Sequence, residues 1–212
     1  MVPKPFGIFL NTGLQTKLIN MSNFTRGSGL LEGFLAKKRA SKANELIGSN
    51  TREGKILDIG CGSVPYFLEN TKFREKFGID PSLESANIKG IKLIKGDFVK
   101  GSIDLPKNYF DIVTMLAVFE HIDNENLDPV LKNILSLLTS NGKLIITTPA
   151  PWADKLLHVM AYVGLISKEE IHEHKHNHKR KSIEEMLRQN GFRNVKSGFF
   201  ELGLNMWFIA IK

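Results

Sequence analysis

From Lys55 onward, short β-rich runs alternate with helix-like stretches: KILDI, KFGID, IKLIK, FDIVTML and KLIITT, separated by PYFLENTKFREK, the short PSLESANI and NLDPVLKNILSLL. Such alternation predicts βαβ units feeding a parallel sheet through right-handed crossovers. Several of these runs lack polar alternation, the pattern of strands covered by helices on both faces. The tail changes character. GFRNVKSGFF and LNMWFIAIK are separated only by a turn containing Glu201, Leu202 and Gly203, which predicts a terminal antiparallel hairpin. The sum is an α/β fold with a doubly wound, seven-stranded sheet, mostly parallel and ending in a C-terminal antiparallel hairpin.

Other elements frame this core. Residues 30–47 place Leu31, Phe34, Leu35, Ala43, Leu46 and Ile47 at spacings that a helix gathers on one face, predicting a helix beside the first strand. Ahead of the final hairpin, Ser182 and Glu185 read as a capping box, and Gly191 sits where a left-handed residue ends a helix. Between KLIITT and that helix lies an insertion, residues 150–181, with the helical stretch WADKLLHVMAYVGLI. Its apolar residues exceed one narrow stripe; a core helix, an apolar lid, a dock for a lipid-like tail and a subunit contact all accommodate them. The chain thus divides into a basic helical segment, 1–54, packed on a core of 55–212, within one compact domain.

Composition narrows the class. The 212 residues fit one domain at roughly 150 per domain, and 42% apolar with 24% charged residues excludes disordered and collagen-like chains. Cys61 is the only cysteine, so no internal disulfide can form and a reducing, cytoplasmic setting is expected. No apolar run reaches the ~20 residues of a membrane span, and prolines and glycines break up the N-terminal MVPKPFGIFLNTG, so neither a span nor a signal peptide is expected. The net charge of +7 is concentrated: residues 1–55 hold nine Lys/Arg against three Asp/Glu, the remainder twenty against nineteen. A solvated helix face and attraction to an anionic substrate, nucleic acid or lipid surface both fit that excess.

The chemistry starts at LDIGCGS, residues 57–63, directly after the first strand. Glycines there let backbone approach a ligand closely. A dinucleotide fingerprint needs a third glycine where Pro65 stands, which argues against NAD. Together with GIDPS (78–82), KGDF (95–98) and FDIVTMLAVFEHI (110–122), the loop resembles class I S-adenosylmethionine-dependent methyltransferases, with their Rossmann-like fold, over residues 30–212. The Glu-His pair after the fourth strand is similar to the small-molecule branch typified by quinone-biosynthesis methyltransferases. The family's third loop glycine falls on Val64.

That resemblance implies S-adenosyl-L-methionine as cofactor, S-adenosyl-L-homocysteine as product, and a small or lipid-linked methyl acceptor. Asp58 and the backbone of Gly60, Cys61 and Gly62 would line the amino-acid end of the cofactor. Asp80, followed by Pro81, would accept from the ribose hydroxyls, and Asp97 from the adenine amino group, with the Phe98 backbone reading the ring. Leu116 would pass beneath the cofactor. His121, or His176 or His178 from the run HEHKHNHK, would orient the acceptor or take its proton, since an imidazole exchanges protons near neutral pH. The same run also reads as a metal ligand set or as solvated loop histidines; the flanking lysines and Arg180 oppose a cation, and no metal is assigned. The rivals are a nucleic-acid methyltransferase and a non-catalytic, cofactor-binding partner subunit. TMLAVFEH in place of an [DNS]-P-P-[YFW] motif argues against the first, and Val64 speaks for the second.

Overall fold

The structure, a computed structural model, describes residues 32–49, 52–101, 103–153 and 178–212. In chain order these form α1 (Glu32–Ile47), β1 (Lys55–Ile59), α2 (Tyr66–Glu69), β2 (Glu75–Asp80), β3 (Ala86–Ile88), β4 (Ile91–Lys95) and β5 (Phe110–Leu116). A 3₁₀ turn (Phe119–His121), α3 (Asn124–Leu137), β6 (Leu138–Pro149), α4 (Arg180–Gln189), β7 (Arg193–Phe200) and β8 (Asn205–Ile211) follow. The strands make one sheet in the order β3-β4-β2-β1-β5-β6-β8-β7. β4, β2, β1, β5 and β6 run parallel, and β8 pairs antiparallel with both β6 and β7. The expected mostly parallel sheet with a terminal hairpin is therefore present.

The sheet has eight strands, not seven. PSLESANI was expected as a short helix, but Ala86–Ile88 pairs antiparallel with β4, Ile88 opposite Ile91. Lys89 and Gly90 between them have φ of 52° and 75°, the left-handed pair that a two-residue hairpin requires. PYFLENTKFREK likewise yields a single helical turn. The Asn70 side chain donates to the Tyr66 carbonyl at 2.7 Å, ending α2, and Glu75 and Lys76 already belong to β2. The capping box at Ser182 and Glu185 does not form. Lys179 is the N-cap of α4, Ser182 lies within its first turn, and Arg180 anchors the start by donating to Ser197 Oγ at 2.9 Å. Gly191 does end α4 with a φ of 94°, its N–H donating to the Arg188 carbonyl.

Each sheet face buries its own core. Leu57, Val113, Met115 and Ile146 meet α3 and α4 on one side, while Ile56, Ile112 and Ile145 meet α1 and α2 on the other. Alternate residues of one strand thus serve opposite cores, as the pleat demands. The buried stripe of α1 is Ala40, Ala43 and Ile47, whereas Phe34, expected on that face, is 53% exposed under the Lys38 ammonium. Two alanines let the helix lie close against the branched residues of the sheet, and Phe34 turns outward. Among the described residues, no helix is long and apolar enough to cross a membrane.

Candidate functional site

The strand order reverses between β1 and β5, because the chain builds outward through β2 and β4 on one side of β1 and through β6 on the other. Open α/β sheets bind ligands in the crevice at the carboxyl ends of such a pair. The loop after β1 turns there on two glycines, Gly60 at φ 74° and Gly62 at φ 75°. They serve different ends. A Cβ on Gly60 would stand 2.3 Å from Val118 Cγ2, whereas one on Gly62 would meet nothing nearer than the Val64 carbonyl oxygen at 3.8 Å. Gly60 is required by packing; Gly62 leaves its backbone open on one side to a ligand. Val118 reaches Gly60 because Ala117, at φ 57°, turns the chain sharply after β5 while its N–H donates to the Thr147 carbonyl at 2.9 Å. A left-handed alanine is strained, and strain of this kind collects at binding sites.

Two buried carboxylates stand behind the loop. Asp80 closes β2 and accepts from the Gly62 N–H at 3.0 Å through Oδ2, while its Oδ1 accepts from the backbone N–H and the hydroxyl of Ser82. It therefore fixes the loop from the end of the neighbouring strand. Asp58, opposite Thr114 in the β1–β5 register, accepts from Thr114 Oγ1 at 2.6 Å. Burial pushes its carboxyl up to about 7, the Thr114 hydrogen bond opposing this and the Asp80 charge adding to it. Burial likewise pushes the Cys61 thiol up, with Asp58 and Asp80 adding to it, so the sulfur stays protonated and is no nucleophile at neutral pH.

The remaining expected residues fall around the same edge. Pro81 is exposed beside Asp80, and Asp97 follows β4 with Oδ1 accepting from the Val99 N–H at 3.0 Å. The Phe98 ring is in the core, and Leu116 ends β5, half-buried against the core cluster that Cys61 also packs on. The 3₁₀ turn carries Glu120 and His121. Glu120 is buried and accepts from Thr148 Oγ1 at 2.9 Å, which ties the turn to β6. His178 lies edge-on to Phe119 of that turn, ring centroids 6.0 Å apart, which brings a residue just ahead of α4 to the turn that carries His121. His172, His174, His176 and residues 154–177 generally lie outside the described residues.

Sequence reasoning missed Thr114, Ser82 and Thr148. Ser82 carried a local signal, since an Asp two residues ahead of a serine readily closes an Asx turn. Thr114 and Thr148 become partners only through strand register and the fold of the 3₁₀ turn.

With this geometry in view, a family model described as a methyltransferase domain matches residues 31–197. An uncharacterized methyltransferase from Staphylococcus carnosus is 36% identical over 108 residues, 49% of this chain and 50% of that protein. The chain thus aligns with about half the length of that curated relative. Among solved structures, a SAM dependent methyltransferase from Archaeoglobus fulgidus superposes with a TM-score of 0.61 at 20% identity, covering 83% of this chain and 94% of the other. Phosphoethanolamine N-methyltransferase 2 of Haemonchus contortus, solved with S-adenosyl-L-methionine, superposes with 0.59 at 13% identity over 83% of this chain and 52% of its own. At these identities the solved structures establish the fold.

Proposed function

Because the chain belongs to the methyltransferase domain family, we propose that it transfers a methyl group from S-adenosyl-L-methionine to a small or lipid-linked acceptor at the carboxyl edge of the sheet. The observation that carries this reading is the glycine loop at the topological switch point: Gly62, open on one side, is held by Asp80 at the end of the neighbouring strand. The donor set suits the cofactor. Asp80 presents a carboxylate at the end of β2 for the ribose hydroxyls, Asp97 and the Phe98 backbone stand after β4 for the adenine, and Asp58 presents a carboxyl that an incoming ammonium would draw into its charged form. Bound S-adenosyl-L-methionine supplies an electrophilic methyl group on a sulfonium. The chain's part is to hold both reactants in line and to exclude water, and such positioning lowers barriers without any covalent role for the protein. For a hydroxyl acceptor, His121 or His178 takes the proton as the new bond to carbon forms; Cys61, kept protonated, takes no part.

Calorimetric titration with S-adenosyl-L-homocysteine tests the reading. Binding by the parent chain is expected, and Asp80→Ala should weaken it about 10- to 100-fold, since each hydrogen bond to a charged group is worth roughly 1.5–3 kcal/mol. Equal affinity in the variant removes Asp80 from the site. Absence of binding by the parent, or preferential binding of NADH, removes the cofactor reading.

A further inference from the structure

Beyond the crevice, on the α1 face of the sheet, four polar atoms with no hydrogen-bond partner are enclosed: Arg39 Nε, Thr147 Oγ1, Glu201 Oε1 and Asn205 Oδ1. They belong to one neighbourhood. Thr147 lies opposite Trp207, and Asn205 opposite Pro149, in the β6–β8 ladder, so Thr147 and Asn205 are diagonal neighbours on a single face. Asn205 Nδ2 donates to Glu201 Oε2 at 2.5 Å, which fixes the amide with its oxygen turned away from the carboxylate. Burial pushes the Glu201 carboxyl up, against the opposing pull of Arg39 and Lys38 of α1 and of the Asn205 hydrogen bond. Thr147 and Asn205 are 0% and 5% exposed, so leaving such groups unmatched is costly. The Thr147 carbonyl holds Ala117, so this cluster adjoins the cofactor crevice across one strand.

We infer that Arg39, Thr147, Glu201 and Asn205 form the recognition subsite for the acceptor, and that its ligand is a neutral molecule bearing neighbouring hydroxyl groups. This rests on the methyl-transfer reading for what the ligand is there to do. The chemistry selects the class by exclusion. An ammonium would satisfy Glu201 Oε1 and Asn205 Oδ1 but leave Arg39 Nε unmatched and lie beside Lys38 and Arg39. A phosphate or carboxylate would satisfy Arg39 but set acceptor against acceptor at the Asn205 carbonyl oxygen, which the Glu201 hydrogen bond holds in place. Hydroxyl groups both donate and accept. Two on adjacent carbons can donate to Glu201 and Asn205, accept from Arg39, and exchange either role with Thr147. The Trp207 indole, opposite Thr147 in the ladder, packs over Gly198 with the Lys42 ammonium above its ring, so it walls the cluster on the β7 side and adds a third cation to Lys38 and Arg39 nearby.

Ligand-observed NMR on the full chain, with and without S-adenosyl-L-homocysteine, tests this with myo-inositol and catechol as vicinal diols. Cyclohexanol, phenol, ethanolamine and inorganic phosphate serve as counterparts. The diols are expected to bind at least about fivefold more tightly than their mono-hydroxy counterparts, the worth of one further hydrogen bond. Glu201→Gln and Thr147→Val should each weaken them roughly five- to tenfold, with Thr147→Ser restoring affinity. Circular dichroism checks each fold, and the Thr147→Val and Thr147→Ser pair carries the test should Glu201→Gln unfold. Preference for ethanolamine or phosphate, no preference for diols, or diol affinity unchanged in both variants overturns the inference. If S-adenosyl-L-homocysteine binds while no diol does, this subsite alone is wrong. If diols bind but S-adenosyl-L-homocysteine does not, the methyl-transfer reading fails and the subsite stands.

Discussion

Two carboxyl-edge regions lie one strand apart and are built on opposite terms. Between β1 and β5, the named polar groups answer one another: Asp58 takes the Thr114 hydroxyl, and Asp80 takes the Gly62 and Ser82 donors. Between β6 and β8, Thr147, Glu201, Asn205 and Arg39 each keep a buried atom unmatched. A region satisfied from within is pre-organised, so a ligand meets a fixed loop and little ordering accompanies its binding. A region left unmatched carries a standing cost that the right ligand removes, which is a source of selectivity. The proposed cofactor site has the first arrangement, and the proposed acceptor subsite the second.

The largest effect tests what stands between the two regions. If a histidine takes the acceptor proton as proposed, replacing it by alanine, among His121, His176 and His178, should lower turnover about 10²- to 10⁴-fold while S-adenosyl-L-homocysteine affinity holds. Turnover unchanged in all three variants would remove proton acceptance by histidine and leave positioning or another residue.

The next effect separates the regions by pH. Folded Asp58 holds its proton up to about pH 7, whereas the same group unfolded releases it near 3.8. The folded state binds more protons across that window, so folding stability is highest at its acid end and declines as pH rises toward 7, by about 4 kcal/mol. Asp58→Asn keeps an acceptor for Thr114 and removes the titration. Urea unfolding at pH 5 and pH 8 should show the decline in the parent and little of it in the variant. Equal slopes in both would place the pH dependence elsewhere.

The glycine loop sharpens the first region by itself. Gly60→Ala forces a Cβ into Val118 and adds left-handed strain, and should destabilise the chain by roughly 2–3 kcal/mol. Gly62→Ala adds the strain of roughly 1–2 kcal/mol without the clash. Its expected signature is weakened S-adenosyl-L-homocysteine binding, because the methyl group lands on the open side of the loop. Thermal unfolding and calorimetry on the pair read the two effects separately, and an identical loss of stability would show that the two glycines do one job.

The contrast also explains what the sequence disclosed. The β1–β5 region is written in contiguous strings, LDIGCGS and GIDPS, whose glycine and acid spacing reports backbone conformation directly, and strand alternation from Lys55 onward reported the parallel sheet. Features set by distant pairing were silent. β3 looked helical because three exposed residues, Ala86–Ile88, carry no periodic signal, and only the Lys89-Gly90 turn marks the hairpin. Phe34 looked buried because helical spacing groups it with Ala43 and Ile47, yet the close approach of Ala40 and Ala43 to the sheet decides which face turns inward. The β6–β8 cluster draws on four separate segments, and nothing local links Arg39 to Glu201.

The smallest effect discriminates most sharply, because it compares the same substitution on two adjacent strands of one sheet face. Thr114 and Thr147 are both fully buried, and valine matches threonine in shape. Thr114→Val removes the only side-chain donor described at Asp58 Oδ1, leaving a buried carboxyl short of a partner, and should cost roughly 1–3 kcal/mol. Thr147→Val replaces an unmatched hydroxyl by a methyl group, so without ligand the chain should be unchanged or more stable by up to about 1 kcal/mol. Opposite signs in chemical denaturation would show that one region is satisfied from within and the other is not. Equal losses would mean that the Thr147 hydroxyl already has a stabilising role in the free chain, and the distinction between the two regions would fall.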